Sequence, residues 1–218
     1  MKQQYEFVVV DDHPLFRQGL VSVIENIRSY HVIGEASTIS EALQAIEARQ
    51  PHVLLVDIAL HQENGLELVK TVKSLYPDIL QVVVSMYDEV IYASTALKSG
   101  AKGYVMKQEA AETLLEAIET VIQGKIYVSM AMHERMLDSI FANKTKVESD
   151  PVVLLSVREQ EVFRLIGQGF GISEIAEALH LSFKTINVYR DNIRRKLSIG
   201  DAGGLRKFAI KWMKSKEM

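Results

Sequence analysis

Three carboxylates, a hydroxyl and an amine stand at matched places in the first half of the chain. Asp11 and Asp12 directly follow the apolar run Phe7–Val10, and Asp57 directly follows Val53–Val56. Ser85 follows Leu80–Val84, and Lys107 follows Gly103–Met106. Carboxylates packed together repel one another unless a cation sits among them, and oxygen-only ligands suit Mg²⁺. An anionic nucleophile, a hard cation, a hydroxyl and a lysine together serve phosphoryl transfer, where catalysis is mostly positioning and charge neutralisation. Singly, each residue has a plainer use: Asp11 or Asp12 can cap the next helix, and Lys107 can be solvated. Their shared place, each just past a strand-like run, argues for one site.

A second set has the spacing of a helix face. At about 100° per residue, Lys184, Asn187, Val188, Asp191, Arg194 and Arg195 share one side. Ile186, Tyr189, Ile193 and Leu197 form a separate core stripe. The polar, basic side is free to enter a major groove of double-stranded DNA. Asn187 can pair bidentately with adenine and Val188 can touch a thymine methyl, while Asp191 accepts from a cytosine amine or discourages wrong sites. Lys184, Thr185, Arg194 and Arg195 suit phosphates, which fix register without reading sequence.

The elements that must position these groups follow two rhythms. Up to Gly124, the runs Phe7–Val10, Val32–Ala36, Val53–Val56, Leu80–Val84 and Gly103–Met106 alternate with helix-period segments. Phe16, Leu20, Val23, Ile24 and Ile27 make one helical face, and Leu114, Leu115, Ile118, Val121 and Ile122 another. Pro14 suits a first helical turn and Ser40 reads as an N-cap. Strands alternating with helices predict a five-stranded parallel sheet covered on both faces, an α/β doubly wound fold. In the flavodoxin-like order the first and third strands are neighbours, so Asp11, Asp12 and Asp57 converge beyond their carboxyl ends.

After Gly124 the strands stop. Met130, Met132, Met136, Leu137, Ile140 and Phe141 form an apolar band that reads as packing between domains, and the polar stretch 143–150 reads as a connector. Ser156 and Glu159 form a capping box. Gly167 and Gly169 break that helix, a short one covers 172–179, Ser182 caps a third to about 197, and a fourth covers about 205–213. Short helices with tight glycine turns predict an all-α, four-helix, helix-turn-helix domain. The expected organisation is a flavodoxin-like domain over 1–124, a helical linker over 125–150 and the helix-turn-helix domain over 151–218.

Composition sets the outer bounds. With 218 residues, 48% hydrophobic and 24% charged, the chain falls among soluble globular proteins of one or two domains. There are no cysteines, which excludes disulfides and thiolate metal sites. No stretch approaches the ~18 apolar residues of a membrane helix, and the N-terminal apolar run is too short for a signal peptide. The expectation is a cytoplasmic protein with no membrane partner. Residues 1–146 carry 13 Lys and Arg against 19 Asp and Glu, whereas Lys184–Lys216 alone holds 10 against 2. An acidic module joined to a basic one suits a polyanionic partner at the second.

Other motifs lead nowhere. Gly167-Gln-Gly-Phe-Gly171 follows a helix rather than a strand, so it is turn chemistry and not a phosphate loop. His13, His31, His52, His61, His133 and His180 lack metal-ligand spacing, and His133-Glu134 has no second histidine for a zinc-protease motif.

Residues 5–124 resemble a response-regulator receiver domain through Val8-Val-Val-Asp-Asp-His-Pro14, Asp57 after Val53-Leu-Leu-Val, Gly65-Leu-Glu-Leu, and Gly100-Ala-Lys-Gly-Tyr-Val-Met-Lys107. Residues 151–215 resemble the LuxR-type helix-turn-helix through Leu155-Ser-Val-Arg-Glu-Gln-Glu-Val162, Glu174-Ile-Ala176 and Ser182-Phe-Lys-Thr-Ile-Asn-Val188. In series they look like a NarL/FixJ-type response regulator. The resemblance implies that Asp57 accepts a phosphoryl group from a histidine kinase. It also implies that Asp12, Asp57 and the Ala59 carbonyl hold Mg²⁺ with Asp11 assisting through water. Ser85 and Lys107 would contact the phosphoryl oxygens, and Tyr104 would be a switch that turns inward when Ser85 moves. A homodimer on activation and RNA polymerase are the further partners implied. The protein would be no enzyme beyond its own phosphoryl transfer and dephosphorylation.

Five positions depart from the pattern. Gln108 replaces the proline common after the lysine, so a cis bond is not expected there. His61 replaces a proline in the loop after Asp57, and Met86 stands where a small residue is usual, narrowing water's access to an acyl phosphate. Tyr189 replaces a frequent histidine, and Gly171 a capping serine. Two other readings compete. One is a receiver-bearing DNA binder gated by ligand or partner without phosphorylation, against which the complete set of acids with Ser85 and Lys107 argues. The other is a phosphatase using Asp57 as haloacid-dehalogenase-like enzymes use Asp-x-Asp, against which Asp57-Ile58-Ala59 argues.

Overall fold

Each Val- and Leu-rich run becomes a strand in the computed structural model, which describes residues 4–61, 63–141, 152, 155–179 and 181–216. The strands β1 (Tyr5–Val10), β2 (Tyr30–Ala36), β3 (Val53–Val56), β6 (Leu80–Ser85) and β7 (Gly103–Met106) form one parallel sheet in the order β2-β1-β3-β6-β7. Parallel strands need crossovers, supplied by α1 (Pro14–Glu25), α2 (Ile39–Ala48), α3 (Gly65–Leu75), α4 (Glu89–Ser99) and α5 (Ala111–Ile122). Every residue of β3 is buried, as a central strand covered on both faces requires. The register pairs Val10 with Val56 and Ser85 with Met106. The residues that follow these pairs are therefore neighbours at the carboxyl edge.

Three local features differ from expectation. Ser40 lies inside α2, and Thr38 is the cap, its side chain accepting from the Glu41 amide at 3.2 Å. A two-stranded antiparallel ribbon, β4 (Ala59–Leu60) and β5 (Glu63–Asn64), stands in the loop after Asp57. Residues 125–129, the start of the stretch expected as a helical linker, are not helical but run beside the sheet. The Tyr127 amide donates to Lys102 O at 2.9 Å and its carbonyl accepts from Tyr104 N at 3.0 Å, which adds the segment to the sheet beside β7. Val128 and, in α6 (Met130–Phe141), Met132 are buried, while Met130 is exposed. The chain forms two compact units, residues 1–143 and 144–218. The side chains of 137–141 and all of 142–151 lie outside the described residues.

The second unit contains α7 (Val157–Gly167), α8 (Ile172–Ala178), α9 (Phe183–Lys196) and α10 (Ala202–Lys216) around Val162, Phe163, Ile175, Ile186, Ile193, Leu205 and Ala209. Ser156 and Glu159 form the capping box. Gly169, at φ 98°, ends α7. Gly167 serves packing instead, since a Cβ there would meet Met213 Cγ at 2.7 Å and Ala209 O at 3.0 Å on α10. α10 starts earlier than its apolar spacing predicts because Asp201 accepts from the Gly204 amide at 2.7 Å.

Candidate functional sites

The first site lies where β1 and β3 end. The Asp57 amide donates to Val10 O at 2.8 Å, which carries the β-ladder one residue further and aligns Asp57 with Asp11. Lys107, held at the end of β7 by its amide on Ser85 O at 2.8 Å, reaches both acids. Its Nζ lies 2.6 Å from Asp57 Oδ2 and 2.6 Å from Asp11 Oδ2, with all three side chains almost wholly buried. Phe16 places its ring 4.5 Å from the same ammonium. Asp57 Oδ1 accepts from the Ala59 amide at 3.2 Å. Burial pushes the Asp57 carboxyl above the usual carboxylate range, and the Lys107 charge opposes that rise without cancelling it.

Asp12 lies between two imidazoles that sequence reasoning did not place here. His13 Nδ1 is 2.7 Å from Asp12 Oδ1, and the His61 amide donates to Asp12 Oδ2 at 2.8 Å. His61 has φ 51°, in the left-handed region, at the tip of the β4–β5 ribbon. The one sequence signal for His13 was its adjacency to the aspartates. Ligand atoms of Asp11, Asp12, His13 and Asp57 all lie within 4.8 Å of one another. Asp11 Oδ2 and Asp12 Oδ1 are buried, and each faces an ion-pair partner, Lys107 Nζ at 2.6 Å and His13 Nδ1 at 2.7 Å. Acceptor oxygens so gathered fit a hard divalent cation. Gly65 also belongs to this site, because a Cβ there would stand 1.9 Å from Asp57 O.

Ser85 is fully buried, and its Oγ accepts from the Tyr87 amide at 3.4 Å. Tyr104 is buried, with its hydroxyl donating to Tyr87 O at 2.8 Å. Burial holds its phenol far above the ordinary range. The turn between β6 and α4 thus joins Ser85 and Tyr104 through Tyr87.

The second site is the exposed side of α9. Ile186 and Ile193 are buried, and Tyr189 and Leu197 pack against the same core. Lys184, Asn187, Val188, Asp191 and Arg195 are exposed, whereas Thr185 and Arg194 are half-buried. Thr185 belongs to the helix cap, its amide donating to Ser182 Oγ at 3.1 Å. Arg190 donates to Asn187 Oδ1 at 3.1 Å, fixing that carboxamide. Arg194 is committed within its own domain, to Asp191 at 3.2 Å and to Gly200 O.

Residues 7–119 match the response regulator receiver domain family, and residues 153–205 match the luxR family of bacterial regulatory proteins. The oxygen regulatory protein NreC of Staphylococcus epidermidis is 32% identical over 212 residues, spanning 94% of this chain and 97% of that protein. The transcriptional regulatory protein DegU of Brevibacillus brevis is 30% identical over 213 residues, spanning 92% and 90%. The chain belongs to the NarL/FixJ-type response regulators. Among solved structures, Salmonella typhimurium RcsB aligns with a TM-score of 0.62 at 26% identity, over 96% of this chain and 98% of that one. A structure of two RcsB dimers bound to two parallel DNAs aligns with a TM-score of 0.58 at 27% identity, over 94% and 98%.

This response regulator pairs a receiver with a LuxR-type DNA-binding domain, the composition of a transcription regulator. A receiver implies a histidine kinase as partner. Receivers bind Mg²⁺ at an acidic pocket, and Asp11, Asp12 and Asp57 form such a pocket here. No cis peptide bond occurs among the described residues, in keeping with Gln108 after Lys107. Without a side chain at Gly171, only the Glu174 half of the α8 cap remains, accepting from the Gly171 amide at 2.6 Å. Among the described residues, no helix is long and apolar enough to cross a membrane.

Proposed function

We propose that Asp57 is the phosphoacceptor through which a histidine kinase controls dimerisation and DNA binding of this regulator. The observation that carries this reading is Lys107 Nζ at 2.6 Å from both Asp57 and Asp11. It places a buried cation where an added phosphoryl oxygen would need one. An Asp57 oxygen attacks phosphorus of the kinase phosphohistidine. The new P–O bond forms as the P–N bond breaks, and the imidazole nitrogen keeps the electron pair. Lys107 and Ser85 then hold the phosphoryl oxygens. Asp11, Asp12, Asp57 and the Ala59 carbonyl would hold Mg²⁺, which when bound neutralises charge on the transferring group. The protein catalyses no reaction beyond its own phosphorylation and dephosphorylation.

Intact mass, sedimentation and DNA binding, measured with Mg²⁺ and a small phosphodonor, test this on wild type and Asp57→Ala. The DNA is a duplex selected by wild type from a random pool. One phosphoryl adduct on wild type alone, with a dimer and tighter DNA binding, is the expected result. No adduct, with unchanged DNA binding, would replace phosphorylation by partner gating.

Met86 directly follows Ser85 in the chain and is 68% exposed. Its bulk hinders water's approach to the acyl phosphate, so the adduct outlasts seconds and Met86→Ala shortens its lifetime several-fold. A wild-type lifetime of seconds, or one unchanged by the substitution, would remove Met86 from this role.

On DNA, α9 enters the major groove. Lys184, Thr185 and Arg195 meet phosphates, with Arg194 contributing once released from Asp191. Asn187 and Val188 face bases, and Asp191 accepts from a cytosine amine or repels wrong sites. Asn187→Ala is expected to lose about 1–3 kcal/mol of discrimination at one base pair while random DNA binds nearly as before. Equal losses on selected and random duplexes would mean that a different face of α9 meets the bases.

A further inference from the structure

Glu89 is an acid that the phosphoacceptor pocket does not use, and it is 7% exposed at the first turn of α4. One of its carboxylate oxygens accepts from the Ser129 amide at 2.7 Å, across 40 residues of sequence. Ser129 opens α6, with its carbonyl accepting from His133 N at 2.9 Å and its hydroxyl from Met132 N at 3.2 Å. Amides at a helix start need an acceptor from outside the helix, and here α4 supplies it. The same stretch of α4 is tied back to the pocket. Asp88 caps α4 through the Val90 amide at 2.8 Å, Tyr87 O accepts from the Tyr104 hydroxyl, and Tyr87 N donates to Ser85 Oγ. A hydrogen-bonded path therefore runs from Ser85 through the Tyr87–Glu89 turn to the start of α6, the helix that precedes the DNA-binding unit in the chain.

We propose that Glu89 is a positioning residue that couples the phosphorylation state of Asp57 to α6 by holding the Ser129 amide. The inference rests on the phosphoacceptor reading above. When a phosphoryl oxygen on Asp57 accepts from the Ser85 hydroxyl, the Ser85 side chain turns toward it. Oγ can still accept, but its bond from the Tyr87 amide is already long at 3.4 Å, so Tyr87 either follows Oγ or is released and the turn that carries Glu89 shifts. A buried carboxylate left without a donor is costly, so the bond persists and Ser129 follows. A mere cap would stabilise α6 equally in both states. A coupling residue makes α6 respond.

The test compares full-length wild type, Glu89→Gln and Glu89→Ala with Mg²⁺ and a small phosphodonor. Intact mass gives the adduct, titration of the selected duplex gives the ratio of affinities with and without phosphodonor, and hydrogen exchange reports on amides 129–133. All three proteins are expected to take one phosphoryl group. Glu89→Gln keeps the wild-type ratio. In Glu89→Ala the ratio falls by about fivefold or more, and exchange at 129–133 no longer responds to phosphodonor. An adduct on Glu89→Ala with the wild-type ratio and response overturns this inference alone. Absence of adduct on wild type overturns the phosphoacceptor reading and this inference with it. If Glu89→Ala does not fold, Ser129→Pro, which deletes the N–H and keeps Glu89, carries the same expectations with exchange read at amides 130–133.

Discussion

An Asp57→Asn protein is expected to take no phosphoryl group and yet to melt at a higher temperature than wild type. The carboxamide is not a nucleophile, so the first effect is complete loss. The second follows from the raised pKa of Asp57, which burial causes and Lys107 only partly offsets. A carboxyl whose folded pKa lies above its unfolded value favours folding fully only below the unfolded pKa. That contribution is lost as pH rises through the folded pKa, so at neutral pH the ionised group opposes folding. Asparagine removes the opposing charge, and Lys107 retains Asp11 as partner. The gain in Tm is expected to be a few degrees at pH 7, at about 2–4 °C per kcal/mol, and to shrink as pH falls. Mg²⁺ is expected to raise the wild-type Tm more than that of the variant. Equal melting across pH would show that the Lys107 pair fully compensates the buried charge.

Gly65→Ala is expected to destroy the pocket from the backbone side. Its methyl would stand 1.9 Å from the Asp57 carbonyl oxygen and 2.9 Å from its carbonyl carbon. Neither atom is the end of a flexible side chain. The strand that presents Asp57 must shift, at a cost of about 3 kcal/mol or more, lowering Tm by on the order of 10 °C and abolishing the adduct. Gly19→Ala is the matched control, because that helical glycine has nothing within 4 Å of an added Cβ. It is expected to stabilise by about 0.5–1 kcal/mol. Thermal melts of the two variants with intact-mass assays separate a steric requirement at Gly65 from a general intolerance of substitution, and a Gly65→Ala protein that still phosphorylates would refute the clash.

The pocket was legible because strand ends are legible. Apolar runs that stop at Asp11, Asp57, Ser85 and Lys107 place those residues at one edge once the strand order is known, and β1–β3 pairing then brings the acids together. The α9 face was legible for the same reason, since helical period alone separates Ile186 and Ile193 from Asn187 and Asp191. What escaped was set by contacts distant in sequence or by choices among equals. Ser37, Thr38 and Ser40 all offer a capping hydroxyl, and position relative to Glu41 selects Thr38. Two-residue strands such as β4 and β5 carry no alternation to detect. The addition of Tyr127 beside β7 depends on backbone bonds to Lys102 and Tyr104, which leave no local pattern. The apolar spacing begins only at Leu205, yet Asp201 nucleates α10 from Ala202 across Gly203 and Gly204.

The tie between Arg194 and Asp191 bears on how fast the regulator finds its sites. A helix that presents an arginine already paired with its own carboxylate releases fewer counterions on arbitrary DNA than one with the arginine free. A weaker grip on the wrong sequence shortens each non-productive stay, and a genome offers roughly a million or more such sites. In the proposed docking, a cytosine amine that took Asp191 would open the pair, and the guanidinium, once it also left Gly200 O, would turn to a phosphate. If α9 docks as proposed, this intrahelical bond of 3.2 Å would make residence time, rather than encounter rate, the quantity that separates the operator from the rest of the chromosome.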